Sequence, residues 1–406
     1  MPDTTHRSRW SLLTNLAAAN PAVRLLVLTQ LAFNVGFFMV LPYLSVYLSE
    51  DLGLRAAFVG AVLGLRTFAQ QGLFFVGGSL ADRWGVKPVV VTGCVCRILG
   101  FLGLAWFTSV AGIVVATVLI GFAGALFSPA VEGALATAAG DGPSRTDAFA
   151  LFSAFGQIGA FTGPLLGSLL LVVDFAVVCL VAAAVFVAIL LAHLRWLPAR
   201  PGAHAGGTWV DGWREVLANK TFLIFAVAMS SQLVAYNQMY LLLPLEVERA
   251  WGSQAPLGWY FALSSLFVVV AQLPVTRRAR TAAALPVGLT VMAAAFVVMA
   301  LLAPARLHGV AGLIPAAAFV LLLALGQMIV IPVSRDLVPR MAGNRRLGSY
   351  YGLLASIGGI GVLVGSVVIG VLVDVMPSDG PWAAIPWCAV AAALLASALV
   401  LRHGNR

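Results

Sequence analysis

The sequence predicts an all-α membrane protein, with twelve transmembrane helices arranged as two pseudo-symmetric six-helix bundles. Three observations carry that reading: an apolar composition, about twelve long apolar runs, and an internal repeat at a single offset. Of the 406 residues, 61% are hydrophobic and only 10% are charged, too few to cover a water-soluble core. Inside hydrocarbon only helices and closed barrels satisfy every backbone N–H and C=O group. Unbroken apolar runs of about 20 residues select the helix.

The runs fall at 23–48, 56–80, 88–107, 110–134, 147–171 and 175–196, then at 221–243, 256–275, 282–303, 309–333, 347–375 and 382–402. The first follows a polar stretch and runs past the length of a signal-peptide core without an A-x-A site, so it reads as a retained helix. Residues 1–196 then form the first bundle, 197–220 a cytoplasmic linker and 221–406 the second bundle. The linker is marked by the Pro-, Gly- and Ala-rich stretch Pro198 to Gly207. Beyond it Trp209, Trp213, Val216 and Leu217 recur at i, i+4, i+7 and i+8, the pattern of a short interfacial helix.

Charge sets the expected orientation. Of the 24 Lys and Arg residues, 19 fall in the termini and even-numbered loops or at their helix ends, three (Arg55, Arg249, Arg306) on the other side, and two (Arg66, Arg97) deep within spans. The positive-inside rule places both termini in the cytoplasm, in the plasma or inner membrane of a cell. The net charge of +9 then reflects contact with an anionic leaflet, and no nucleic-acid partner is expected. Cys94, Cys96, Cys179 and Cys388 all lie in apolar runs and match neither a disulfide framework nor a zinc pattern.

The repeat has an offset of 202 residues. Met39-Val-Leu-Pro42-Tyr-Leu in span 1 parallels Leu241-Leu-Leu-Pro244-Leu-Glu in span 7, and Gly156, Gly159 and Gly163 in span 5 match Gly358, Gly361 and Gly365 in span 11. Pro129 of span 4 corresponds to Pro332 of span 10 within one residue. Parallel six-helix repeats with a binding site between them are a transporter architecture. The one Lys-Thr pair, Lys220-Thr221, lacks the glycines of a nucleotide-binding loop, and neither H-E-x-x-H nor G-x-S-x-G occurs. An enzyme and an ATP-driven pump are therefore disfavoured. No cofactor is expected, and the expected partners are a small-molecule substrate, protons and the bilayer, with the protein acting as a monomer.

Between spans 2 and 3 runs Gly77-Gly78-Ser-Leu-Ala-Asp82-Arg83-Trp-Gly85-Val-Lys87-Pro88. It resembles the signature loop of the major facilitator superfamily. That resemblance implies a conformational latch of Gly78, Asp82, Arg83 and Gly85, with Asp82 near Ser349 and Tyr350 of span 11 when the cytoplasmic side is shut. Span 5 carries Gly159-x-x-x-Gly163-Pro164-x-x-Gly167, similar to the motif of the drug:proton antiporter branch. The runs Gly36 to Pro42 and Gly64-Leu-Arg66-x-x-x-Gln70-Gln71-Gly72 are most similar to its MdtH-like multidrug-resistance subfamily. The resemblance implies alternating access with proton-coupled efflux of small amphipathic compounds.

Two positions depart from the branch: span 1 has Asn34 where many members carry an acid, and span 4 has Thr117 where an arginine is frequent. Glu132, near the inner end of span 4, is then the best-placed proton carrier. Arg66 and Arg97 lie near mid-membrane, where an unpaired charge costs several kcal/mol, so each must face protein or water. The expected substrate-binding set is Asn34, Arg66, Gln70, Arg97, Gln157, Tyr236, Asn237 and Tyr240. Gln30, Gln238, Gln272 and Gln327 are further polar groups within spans. Uptake or exchange of an organic anion held by Arg66 and Arg97 stands as the alternative.

Overall fold

The computed structural model describes residues 16–139, 143–199, 216–279, 281–302, 305, 307–342, 347–376 and 380–404. Trp209 and Trp213 of the expected linker helix lie outside them. Six spans form the first half. They are α1 (Pro21–Val46), α2 with α3 (Ala56–Gln71 and Phe74–Trp84), α4 (Val86–Trp106), α5 (Val110–Ala139), α6 (Pro143–Leu171) and α7 (Phe175–Trp196). The second half repeats them as α8 with α9 (Lys220–Asn237 and Leu242–Trp251), α10 (Leu257–Arg278), α11 (Ala284–Leu302), α12 (Gly309–Met341), α13 (Leu347–Val375) and α14 (Ile385–Gly404). Ten of these spans are long and apolar enough to cross a membrane by length and composition, and the broken α2–α3 and the polar-ended α10 bring the total to twelve. Exposed tryptophans mark both rims: Trp84 and Trp196 at one end, Trp106, Trp251, Trp259 and Trp382 at the other.

Packing inside each half follows the repeat. In the first, α4 packs on α5 and α7, and α1 on α6 and α7; in the second, α11 packs on α12 and α14, and α8 on α13 and α14. The repeat glycines explain the third of these pairs, since Gly159 and Gly163 abut the α1 backbone while Gly361 and Gly365 abut Ser230 and Val234 of α8. Lipid gives helices no hydrophobic drive to associate, so small residues that permit close contact decide where they pack.

Two seams join the halves, α2 against α13 and α6 against α10. Along the first, a Cβ on Gly60 would collide with the Ser366 carbonyl, and one on Gly64 would sit 2.8 Å from Leu363 Cα. Asp374 near the end of α13 accepts both free N–H groups at the start of α2, from Ala56 and Ala57, each at 2.8 Å. Where α2 stops, Ser356 donates to the Gly72 carbonyl at 3.1 Å.

Two spans expected to be continuous are interrupted. Span 2 breaks at Gly72–Leu73, and span 7 breaks over 238–241 before resuming as far as Trp251, eight residues beyond the expected end. At the second break Asn237 and Gln238 turn their amides back onto the carbonyls of Leu233 (3.0 Å) and Val234 (3.1 Å). A broken helix in a membrane needs such internal partners for its freed backbone.

Gly60→Val should overpack the α2–α13 seam and cost about 3 kcal/mol or more, read as a lower unfolding midpoint in detergent. Gly133→Ala, where nothing lies within 4 Å of the added methyl, should leave that midpoint unchanged or raise it.

Candidate functional site: a cavity between the halves

Between the halves lies a cavity of about 620 Å³. The first half contributes Gln30, Asn34 and Phe38 of α1, Glu132 of α5, and Phe149, Phe152 and Gln157 among residues of α6. The second half contributes Tyr236 and Met239 at the break of span 7, Phe261, Ser265 and Gln272 of α10, and Gln327, Met328 and Arg335 of α12. Aromatic rings, thioethers, amides and hydroxyls dominate this wall. Glu132 and Arg335 are its charged residues.

One end of the cavity is shut. There Ser168 of α6 donates to the Ala255 carbonyl just before α10 at 3.2 Å, and Gly258 lies close to both the Tyr43 hydroxyl and the Pro164 carbonyl. At the other end Glu132 and Arg335 lie seven and six residues from the ends of their helices, about 10 Å along the axis. Pro129 and Pro332 sit three residues earlier in α5 and α12, where the missing N–H loosens each helix beside the cavity.

Of the eight residues expected to bind substrate, Asn34, Gln157 and Tyr236 line this cavity. Asn34 also donates to the Gly156 carbonyl at 2.8 Å, which fixes its amide between α1 and α6. Arg66, Gln70, Arg97, Asn237 and Tyr240 lie outside its wall. Arg66 is buried and donates to Gln70 Oε1 (3.0 Å) and Thr67 Oγ1 (2.6 Å), and Thr67 in turn donates to Asn237 Oδ1 at 2.8 Å. This chain ties α2 to the end of α8 across the two halves. Tyr240 stacks behind the wall, its hydroxyl 3.3 Å from that of Tyr236.

Arg97 is fully buried within the first half, and its three guanidinium nitrogens make no hydrogen bond among the described residues. Instead it lies over the rings of Phe33, Phe37 and Phe186, with centroids at 4.7, 4.9 and 5.3 Å. Ring quadrupoles offset part of the cost of a buried cation. Both arginines are buried, but their surroundings differ: one joins the halves through hydrogen bonds and the other fills an aromatic box.

A family model described as Major Facilitator Superfamily matches residues 26–366. The chain belongs to that superfamily. An uncharacterized MFS-type transporter of Mycobacterium tuberculosis (strain ATCC 25618 / H37Rv) is 40% identical over 366 residues, 87% of this chain and 86% of the relative. Multidrug resistance protein MdtH of Aeromonas hydrophila subsp. hydrophila is 32% identical over 369 residues, covering 89% and 90% of the two chains. Among solved structures, a mutant peptide transporter POT in complex with alafosfalin matches with a TM-score of 0.79, at 16% identity over 96% of this chain and 97% of its own. Nucleoside transporter NupG matches at 0.78 and 16% identity, over 95% and 100%. At such identities the likeness speaks for the fold alone. These relatives and neighbours are transporters, not enzymes.

In this facilitator the expected antiporter motif is a contact surface. Gly159, Gly163 and Gly167 each meet the α1 backbone, and the Tyr43 hydroxyl donates to the Pro164 carbonyl at 2.6 Å. The signature loop turns at Gly85, whose φ of 87° and ψ of 161° suit glycine alone. Lys87 follows and donates to the Leu194 carbonyl at the end of α7, at 2.8 Å. Arg83 is exposed in the last turn of α3. Gly78 and Asp82 belong to α3, but their side chains, like that of Ser349, lie outside the described residues. Tyr350 is buried in the second half, edge-on to Phe222, with its hydroxyl 3.2 Å from the Asn219 amide.

In the sequence Arg335 is one of the 19 inside charges, and Phe149 and Phe152 of α6 are part of an apolar run, so neither stands out as a cavity group. The repeat holds the missing signal, because Arg335 follows Pro332 by the same three residues that separate Glu132 from Pro129.

Thr67→Val should leave Arg66 Nη2 and Asn237 Oδ1 without their partner and cost about 2 kcal/mol in equilibrium unfolding in mixed micelles, with Thr67→Ser close to the parent. Arg97→Met should leave stability equal or higher, because an apolar side chain of similar length replaces a buried charge without breaking a hydrogen bond. A large loss of stability in Arg97→Met would contradict the aromatic-box assignment.

Proposed function

We propose that this protein is a secondary active transporter that couples proton entry to the efflux of small amphipathic compounds by alternating access. The observation that carries the proposal is the cavity: an apolar, aromatic and amide wall built from both halves, shut at one end, holding a carboxylate. The 32% identity to a multidrug resistance protein supports the same reading. Residues 1–196 and 221–406 act as the two rocking bodies, and 197–220 as the strap between them. Both termini face the cytoplasm, as the distribution of Lys and Arg favours. In that orientation the cavity receives its substrate from the cytoplasm.

Glu132 is the proposed proton carrier. A protonated Glu132 no longer attracts a cationic group, so proton binding and ligand binding exclude each other at one carboxylate, and proton entry promotes ligand release. The latch of Gly78, Asp82, Arg83 and Gly85 is proposed to shut the cytoplasmic end when the halves rock. Binding of an organic anion by Arg66 and Arg97 finds no support, since both lie outside the cavity wall with the cross-half chain and the phenyl rings around them.

Purified protein in liposomes under an imposed pH gradient tests the proposal. Addition of an amphipathic dye should release protons in proportion to dye moved. Glu132→Gln should abolish that release while dye counterflow continues. Counterflow and proton release both at parental rates in the variant would exclude Glu132 as the carrier. Asp82→Asn should slow cycling several-fold without reducing the amount of protein in the membrane, read as initial transport rate against immunodetected protein.

A further inference from the structure

Glu132 and Arg335 occupy equivalent places in the two halves, each three residues beyond its span's proline. Both side chains line the same cavity and both are exposed there. Among the described residues they are the charged groups of its wall, and they form no ion pair with each other. A pseudo-twofold relation puts two such groups at similar depth on opposite sides of the axis. Four rings, Phe38, Phe149, Phe152 and Phe261, are part of the same wall.

We propose that the cavity selects zwitterions: aromatic amphiphiles whose ammonium group pairs with Glu132 and whose carboxylate pairs with Arg335, with the apolar body against the rings. The inference rests on the efflux reading and narrows its substrate class. A monocation would satisfy Glu132 but share the cavity with the like charge of Arg335. A monoanion meets the converse problem, and a neutral compound leaves both charges in a confined, partly dehydrated space. Arginine adds shape to the match, because its planar fork accommodates both oxygens of a carboxylate. A zwitterion also touches both halves at once. Contacts that improve as the halves approach are what a ligand needs to shift the protein toward closure.

One scaffold in four charge states tests this. Biphenylalanine is the zwitterion, the biphenylethylamine that lacks its carboxyl group the cation, its N-acetyl form the anion, and the N-acetyl methyl ester the neutral compound. Binding to the full chain in detergent micelles is measured by titration calorimetry at neutral pH. The zwitterion should bind about tenfold or more tightly than each of the others, the scale of one added charge-assisted hydrogen bond. Glu132→Gln should lower the zwitterion to the level of the anion, and Arg335→Gln to that of the cation. The double reversal Glu132→Arg with Arg335→Glu should restore preference, since the ligand can turn end for end. Equal binding of the amine and the zwitterion to the unaltered protein would overturn the inference and leave the efflux reading standing. So would a double reversal that binds all four compounds alike, because the two charges would then set no preference among ligands. No binding by any member would overturn both.

Discussion

Everything in this protein depends on bringing helix backbones into contact where no water is present to drive them together. In lipid, association rests on close packing and on hydrogen bonds that have no better alternative. The α2–α13 seam meets that demand with Gly60 and Gly64 facing Ser366 and Leu363, and with Asp374 capping the start of α2. Gly167 and Pro164 do the same where α6, α1 and α10 converge. Small residues make these surfaces smooth as well as close.

Charge inside the membrane is handled in three ways, and the difference separates scaffold from site. Arg66 donates from Nη1 to Gln70 and from Nη2 into a chain through Thr67 to Asn237 that crosses between the halves. Arg97 is held by aromatic faces alone. Glu132 and Arg335 line the cavity and are exposed, where water and ligand can reach them. A charge that is already paired or boxed stabilises a packing arrangement. Two charges left open on opposite halves are free to recognise something.

The broken spans belong to the same division of labour. Span 7 stops at Asn237, where the chain from Arg66 arrives, and exposes Tyr236 and Met239 to the cavity before α9 resumes. The interruption lets one span contribute both to the brace and to the wall. Its hydropathy is continuous across the break, so an apolar run alone shows a single helix there.

The number and type of spans, the superfamily and the repeat were determined by the sequence itself, because hydropathy, a signature loop and glycine spacing are local in the chain. The cavity was only half legible. Asn34, Gln157, Tyr236 and Glu132 could be named as polar groups within spans, but depth along a helix says nothing about which way a side chain turns. Arg66 and Arg97, named for the same site, lie outside its wall. Arg335, read as one more inside charge, faces into it. Only the tertiary structure decided these cases, since the direction of a side chain is set by the helices packed around it and those neighbours lie up to hundreds of residues away.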